Sequence, residues 1–195
     1  MPDTSAGSAV PHAAAPAGAR PRVVVVGSGF AGYFAARRLG RQLGRDRADV
    51  VLLSDRDGLL YAPLLPDVAA GNLDPRSAAV PVAGTLPGVH LIRGRATEVR
   101  RDRHEIVYTD PDGAEQVLPY DRALLAPGSV TRLLDIPGLA DHAIGLKTIA
   151  QALYVRDRVL TQLQTANAIT DPARRRRALT FLVVGAGYAG TGPDR

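Results

Sequence analysis

Three glycines, Gly27, Gly29 and Gly32, form a G-x-G-x-x-G array, with Ser28, Phe30 and Ala31 between them. Residues of this type and spacing serve phosphate binding rather than acid–base work. Gly27 allows a tight turn. Gly29 lets a pyrophosphate approach the backbone, and Gly32 lets the next helix pack close to the strand before it. A second array, Gly185, Gly187 and Gly190, repeats the first: Val-Val-Gly-Ser-Gly-Phe-Ala-Gly against Val-Val-Gly-Ala-Gly-Tyr-Ala-Gly. A lone array is weak, because glycine turns are common. Two of them, each behind an apolar run, point to two nucleotide sites.

The elements that must hold the first array are legible around it. Four successive valines, Val23 to Val26, read as a strand buried on both faces. A helix follows over 30–43. Ala31, Phe34, Ala35, Leu39 and Leu43 line its apolar face and Arg37, Arg38 and Arg41 the other. Its first amides and its dipole aim at the phosphates. Residues 49–53 form a second buried strand. Its end should present an acidic group to the adenosine ribose. Asp55 is close to that point, and Ser54 is the alternative occupant. A solvated turn, Asp55-Arg56-Asp57-Gly58, is the rival reading.

Pro63 and Pro66 break regular structure beyond 59, and the long loop that results is expected to cover a ligand. Residues 89–94 read as the next strand. Segments 96–100, 105–109 and 115–118 then form a β-meander, with Asp110-Pro111-Asp112-Gly113 as a turn. The meander replaces a helix as the crossover to a buried strand over 122–126. That strand ends at Pro127-Gly128-Ser129, where ligands approach the backbone of an open α/β sheet. Apolar spacing predicts a helix over 146–166. Arg174 to Arg177 read as a solvated linker. The fold class expected is α/β, a Rossmann-like open parallel sheet with a meander crossover, plus the first strand of a second such unit.

Composition narrows the function. The 195 residues contain no cysteine, which removes disulfides, thiolate metal sites and redox-active cysteine pairs. A net charge of +5 leaves nucleic-acid binding unforced. The four histidines show no ligand spacing, so no metal is expected. No apolar run reaches the roughly 18 residues of a membrane span. Residues 1–20, rich in Ala, Pro, Gly and Ser, read as a disordered tail rather than a signal peptide.

The order of motifs resembles the two-dinucleotide-binding flavoprotein oxidoreductases. It runs glycine array, meander, Ala126-Pro127-Gly128-Ser129, then a second glycine array. Within that superfamily, Tyr61-Ala62-Pro63-Leu64-Leu65-Pro66, Ala69-Ala70-Gly71 and the 133–147 segment with Ile136-Pro137-Gly138 resemble the type II NADH dehydrogenases. The similarity covers residues 22–191.

The resemblance implies FAD at the first array and NAD(P)H as co-substrate at the second. Hydride passes from NADH to the flavin, and electrons then pass to a quinone. It places Gly27, Ser28, Gly29, Phe30, Ala31 and Gly32 on the FAD pyrophosphate and Ser54 or Asp55 at the ribose. The backbone at Ala96 meets adenine. Pro63 lies near the flavin ring, and Ala126, Pro127 and Gly128 form a further FAD contact. Gly185, Gly187 and Gly190 would be a vestigial NAD(P)H turn. No catalytic side chain is assigned.

Two departures stand out. Ser54 occupies the usual acidic position, and Pro127 interrupts an Ala-Thr-Gly or Ala-Ala-Gly turn. After Gly190 the family pattern stops, with Gly192 where a glutamate is usual. The expectation is therefore an amino-terminal part, inactive alone. Its domains are a FAD-binding domain over 21–145, a helix and basic linker over 146–178, and the start of an NAD(P)H domain over 179–195. The alternatives are a non-catalytic nucleotide-binding module and a non-functional remnant. Small-molecule partners, a cytoplasmic location and a peripheral membrane association for the intact family follow from the same resemblance, which also admits a homo-oligomer.

Overall fold

The structure, a computed structural model, describes residues 20–131, 134–185 and 187. In chain order its strands and α-helices are β1 (Arg22–Val26), α1 (Phe30–Arg47), β2 (Asp49–Ser54), β3 (Gly58–Leu60), α2 (Leu65–Ala70), β4 (Ala79–Pro81), β5 (Val89–Arg93), β6 (Arg95–Arg100), β7 (Glu105–Thr109), β8 (Glu115–Pro119), β9 (Arg122–Leu125), α3 (Leu139–His142), α4 (Ile149–Ala168) and α5 (Pro172–Ala178). They fall into two compact units. One runs through Gly27 and takes in Ala31–Arg56 and Leu86–Ala126. The other takes Ser28–Phe30, Asp57–Thr85 and the residues from Pro127 onward.

The first unit is a parallel sheet in the order β5-β2-β1-β9, and the class is α/β as the pattern predicts. Its centre is β-branched and aliphatic, which suits a pleated surface covered on both sides. Val24, Val25 and Leu52 are fully buried. Each such side chain contributes roughly 1.5–3 kcal/mol by leaving water. Register is pinned at the amino ends. The Arg22 guanidinium meets Asp49 at 2.7 Å on β2, and the Arg22 amide donates to the Asp121 carboxylate at 2.6 Å just before β9.

Side-chain alternation splits the sheet into two faces. Val24, Val26, Val51 and Leu53 pack on Ile106 and Leu118 of the antiparallel β6-β7-β8 meander. Helix α1 takes the opposite face, where its Gly40 lies against Val89.

Three sequence expectations for this unit are corrected. The helix buries Gly32, Tyr33, Ala36 and Gly40, while Phe34 is 51% exposed. Small residues win this face because they bring the helix close: a Cβ at Gly40 would sit 2.8 Å from both the Pro87 carbonyl oxygen and Val89 Cγ2. The helix also continues to Arg47, across a kink at Gly44 where φ is 61°. Strand β9, expected to be buried, is exposed along its length, because it is an edge of the sheet.

In the second unit the stretch expected as a long loop is instead structured. β3 and β4 pair antiparallel, and Leu65 and Val68 of α2 pack with Ala78 and with Ala152 of α4. Gly71, with φ of 83°, ends α2 in the left-handed conformation. Thr148 caps α4, its hydroxyl accepting from the Gln151 amide at 3.1 Å. The arginine run is exposed and helical: it makes up most of α5, whose first turn is capped by Asp171. An aspartate cap and Pro172 in the first turn start a helix that the charge run alone concealed. Residues 180–185, the second Val-Val-Gly motif, make no strand pairing among the described residues, and Leu182 is 88% exposed.

Candidate nucleotide-binding site

Strand order marks one crevice of the first unit as the candidate site. The chain steps outward from β1 to β2 and β5, then returns through the meander to β9 on the other side of β1. The direction reverses at the β1/β9 pair, and open α/β sheets bind ligands outside the carboxyl ends at such a point. Gly27 and Ala126 are the residues that leave those ends. The Gly27 amide donates to the Leu53 carbonyl at 2.8 Å, and the Ala126 amide donates to the Val26 carbonyl at 2.9 Å.

The backbone of the glycine array has the following geometry. Gly27 has φ of 95°, a conformation that suits glycine. A Cβ on Gly32 would lie 1.8 Å from the Gly27 carbonyl oxygen and 3.5 Å from Ala126 Cβ, so the first turn of α1 rests directly on the strand end. At Gly29 a Cβ would meet nothing within 4 Å. A side chain there would project into open space. Ala31 is exposed at the same helix start. In the second unit, Ser28 is buried and its hydroxyl donates to the Gly58 carbonyl at 2.8 Å. Phe30 there meets Tyr61 edge to face, with centroids 5.3 Å apart, a contact that spacing alone did not reveal.

Beside Gly27, β2 ends at Ser54. That residue is only 4% exposed, and its hydroxyl accepts from the Arg56 amide at 3.1 Å. Asp55 follows, half exposed, with Arg56 and Arg95 at 4.0 and 3.8 Å from its carboxylate. Pairing carries Arg93 and Arg95 to this point, since the Gly94 amide donates to the Ser54 carbonyl at 2.9 Å. Neither arginine was expected at the site, although both flank the Gly94 turn that leads to Ala96. Ala96 itself is half-buried at the start of β6.

The remaining expected residues lie in the second unit. Pro63 sits in a short 3-10 turn, Ala62–Leu64. Pro127 follows β9, and Gly128, with φ of 78°, has nothing within 4 Å of an added Cβ. Gly185 (φ 114°) and Gly187 are similarly open, while Gly190 lies outside the described residues. Among the described residues there is no group of three metal-ligating side chains. None of the described helices is long and apolar enough to cross a membrane.

A family model of the pyridine nucleotide-disulphide oxidoreductases matches residues 21–192. The chain belongs to this family. Its members are FAD-dependent oxidoreductases that use NAD(P)H. Type II NADH:quinone oxidoreductase Ndh of Mycobacterium tuberculosis is 34% identical over 174 residues, covering 88% of this chain and 36% of the relative. Demethylphylloquinone reductase NdbB of Synechocystis is 30% identical over 176 residues, covering 88% and 41%. NDH2 from Plasmodium falciparum, solved in complex with NADH, superposes with a TM-score of 0.72 at 22% identity, covering 82% of this chain and 32% of that one, and shares the fold. The chain thus spans 36% and 41% of the length of these two curated relatives. The family name includes disulphide chemistry, but with no cysteine in its sequence this chain has no such pair to offer.

Proposed function

We propose that this chain provides the FAD-binding portion of an NADH:quinone oxidoreductase of type II, with residues 21–145 as the FAD-binding domain. The observation that carries the reading is the glycine turn at the β1/β9 switch point, open at Gly29 and closed by the Gly32 contact. Bound at this turn, FAD would supply the redox chemistry between NADH and a quinone.

The chain's own residues orient and bind. The backbone from Gly27 to Gly32 offers amides at the start of α1, where the helix dipole favours a pyrophosphate. Asp55 is the better ribose partner. Its carboxylate is half exposed, whereas the Ser54 hydroxyl is buried and already accepts from Arg56. The Ala96 backbone is assigned to adenine, and Ala126 to the crevice beside Gly27. A peripheral membrane association is part of this proposal.

The experiment is the absorbance spectrum of the purified chain after incubation with FAD, followed by addition of NADH. Flavin absorbance at about one FAD per chain supports the proposal. Bleaching by NADH extends it to hydride transfer. Bound flavin without bleaching favours a non-catalytic nucleotide-binding module. A colourless chain that cannot take up FAD overturns it.

A further inference from the structure

The end of the parallel sheet away from the glycine turn holds a cavity of about 750 Å³. It lies within the first unit, at the amino ends of β1, β2 and β5. Strand β1 runs from Arg22 to Val26, so roughly 13 Å of extended chain separates the cavity from the turn at Gly27. Its volume falls in the range of small-molecule sites.

Four side chains that can carry positive charge line it: Arg20, Arg22, Arg45 and His90. Among the described lining residues Asp49 alone is acidic, and Arg22 already holds it at 2.7 Å. The charges of Arg20 and Arg45 are therefore left uncompensated in the cavity. Local bonds hold these groups together. The Arg20 guanidinium donates to the Arg45 carbonyl, which ties the segment before β1 to the last turn of α1. The Asp49 amide donates to the Pro21 carbonyl at 2.9 Å. Arg20, Arg45 and His90 are exposed, so a solute can reach them. Ala48 and Val89 add apolar lining.

A concave surface lined by one sign of charge concentrates counter-ions. Guanidinium forks match phosphate oxygens in short, bidentate contacts. A phosphate monoester carries about −1.5 to −2 charges at neutral pH, which balances two free guanidiniums. The apolar lining favours an organic body over the bare ion.

We propose that this cavity binds a small organic phosphate monoester. Arg20 and Arg45 hold the phosphate, His90 adds a donor, and the organic body rests on Ala48 and Val89. The site is separate from the glycine turn and does not depend on which nucleotide that turn holds.

The test is calorimetric titration of the full chain with phenyl phosphate and with inorganic phosphate. Phenyl phosphate should bind at a single site, roughly tenfold tighter than inorganic phosphate because its ring leaves water. Arg45→Ala should weaken it by roughly tenfold, the worth of a charge-assisted contact. Arg20→Ala should do the same. Because Arg20 also ties down α1, Arg45→Ala decides the matter if Arg20→Ala lowers the unfolding midpoint. Arg47→Ala removes an equal charge from the same helix end outside the cavity, and should cost about twofold at most, as a screened surface charge does. Gly29→Ala should leave the affinity unchanged. No binding, equal affinities for the two phosphates, equal losses from Arg47→Ala and Arg45→Ala, or binding lost in Gly29→Ala would each overturn the proposal.

Discussion

Gly32 stands over the carbonyl of Gly27 so closely that a Cβ would lie 1.8 Å from the oxygen. No neighbour can yield, because the obstacle is backbone at the end of a central strand. Gly32→Ala must therefore push α1 off the sheet. The expected cost is at least the ~1–3 kcal/mol of overpacking, read as a lower midpoint in urea unfolding. FAD uptake should fall with it.

Gly29 gives the complementary result. An added Cβ there meets nothing within 4 Å, so Gly29→Ala should leave the unfolding midpoint nearly unchanged. The methyl occupies the space assigned to pyrophosphate, and FAD affinity should drop by roughly tenfold or more. Parallel unfolding and flavin-binding measurements on the two variants would separate the roles of the two glycines. A Gly29→Ala chain that binds FAD as tightly as the parent would remove Gly29 from the site.

Gly40 tests the helix face that apolar patterning misplaced. Its Cβ would meet the Pro87 carbonyl oxygen and Val89 Cγ2, both at 2.8 Å. Gly40→Ala gains helix propensity, worth up to ~1 kcal/mol, but loses close packing at a cost of ~1–3 kcal/mol. The packing cost is larger, so net destabilisation is expected in chemical unfolding. A more stable variant would mean that α1 can lift from Val89 without penalty.

How far the fold could be read depended on the kind of signal. Val23 to Val26 and the glycine spacing specify a strand, a turn and a helix by local chemistry, and those elements are present. The meander was legible because Asp110 to Gly113 is a strong turn between alternating segments. Tertiary information was less accessible. The apolar side of α1 includes Phe34, yet the packed side is Gly32, Ala36 and Gly40, since closeness to the sheet outweighs side-chain size. The exposure of β9 depends on its edge position, which a run of apolar residues does not encode. At the candidate site, the glycines were readable from spacing. The approach of Arg93 and Arg95 to Asp55 required the β2–β5 register, a pairing between residues distant in sequence.

The turn between β7 and β8 carries the pH prediction. Asp110 accepts from the backbone amides of Ala114 at 2.9 Å and Asp112 at 3.0 Å, and from the Gln116 side chain at 3.1 Å. These bonds favour the carboxylate, the Ala114 amide most, and hold the group below its usual 3.8. A depressed folded-state value means that the unfolded chain takes up a proton first as pH falls. The contribution is fully present above the unfolded value and is lost as pH drops through the folded one. Stability from this turn should therefore be constant at neutral pH and decline below about pH 4. Asp110→Asn removes that titration, so the variant's unfolding midpoint should fall less steeply over the same acidic range. Parallel acid dependence in the two chains would show that the Asp110 turn contributes nothing pH-linked to the meander.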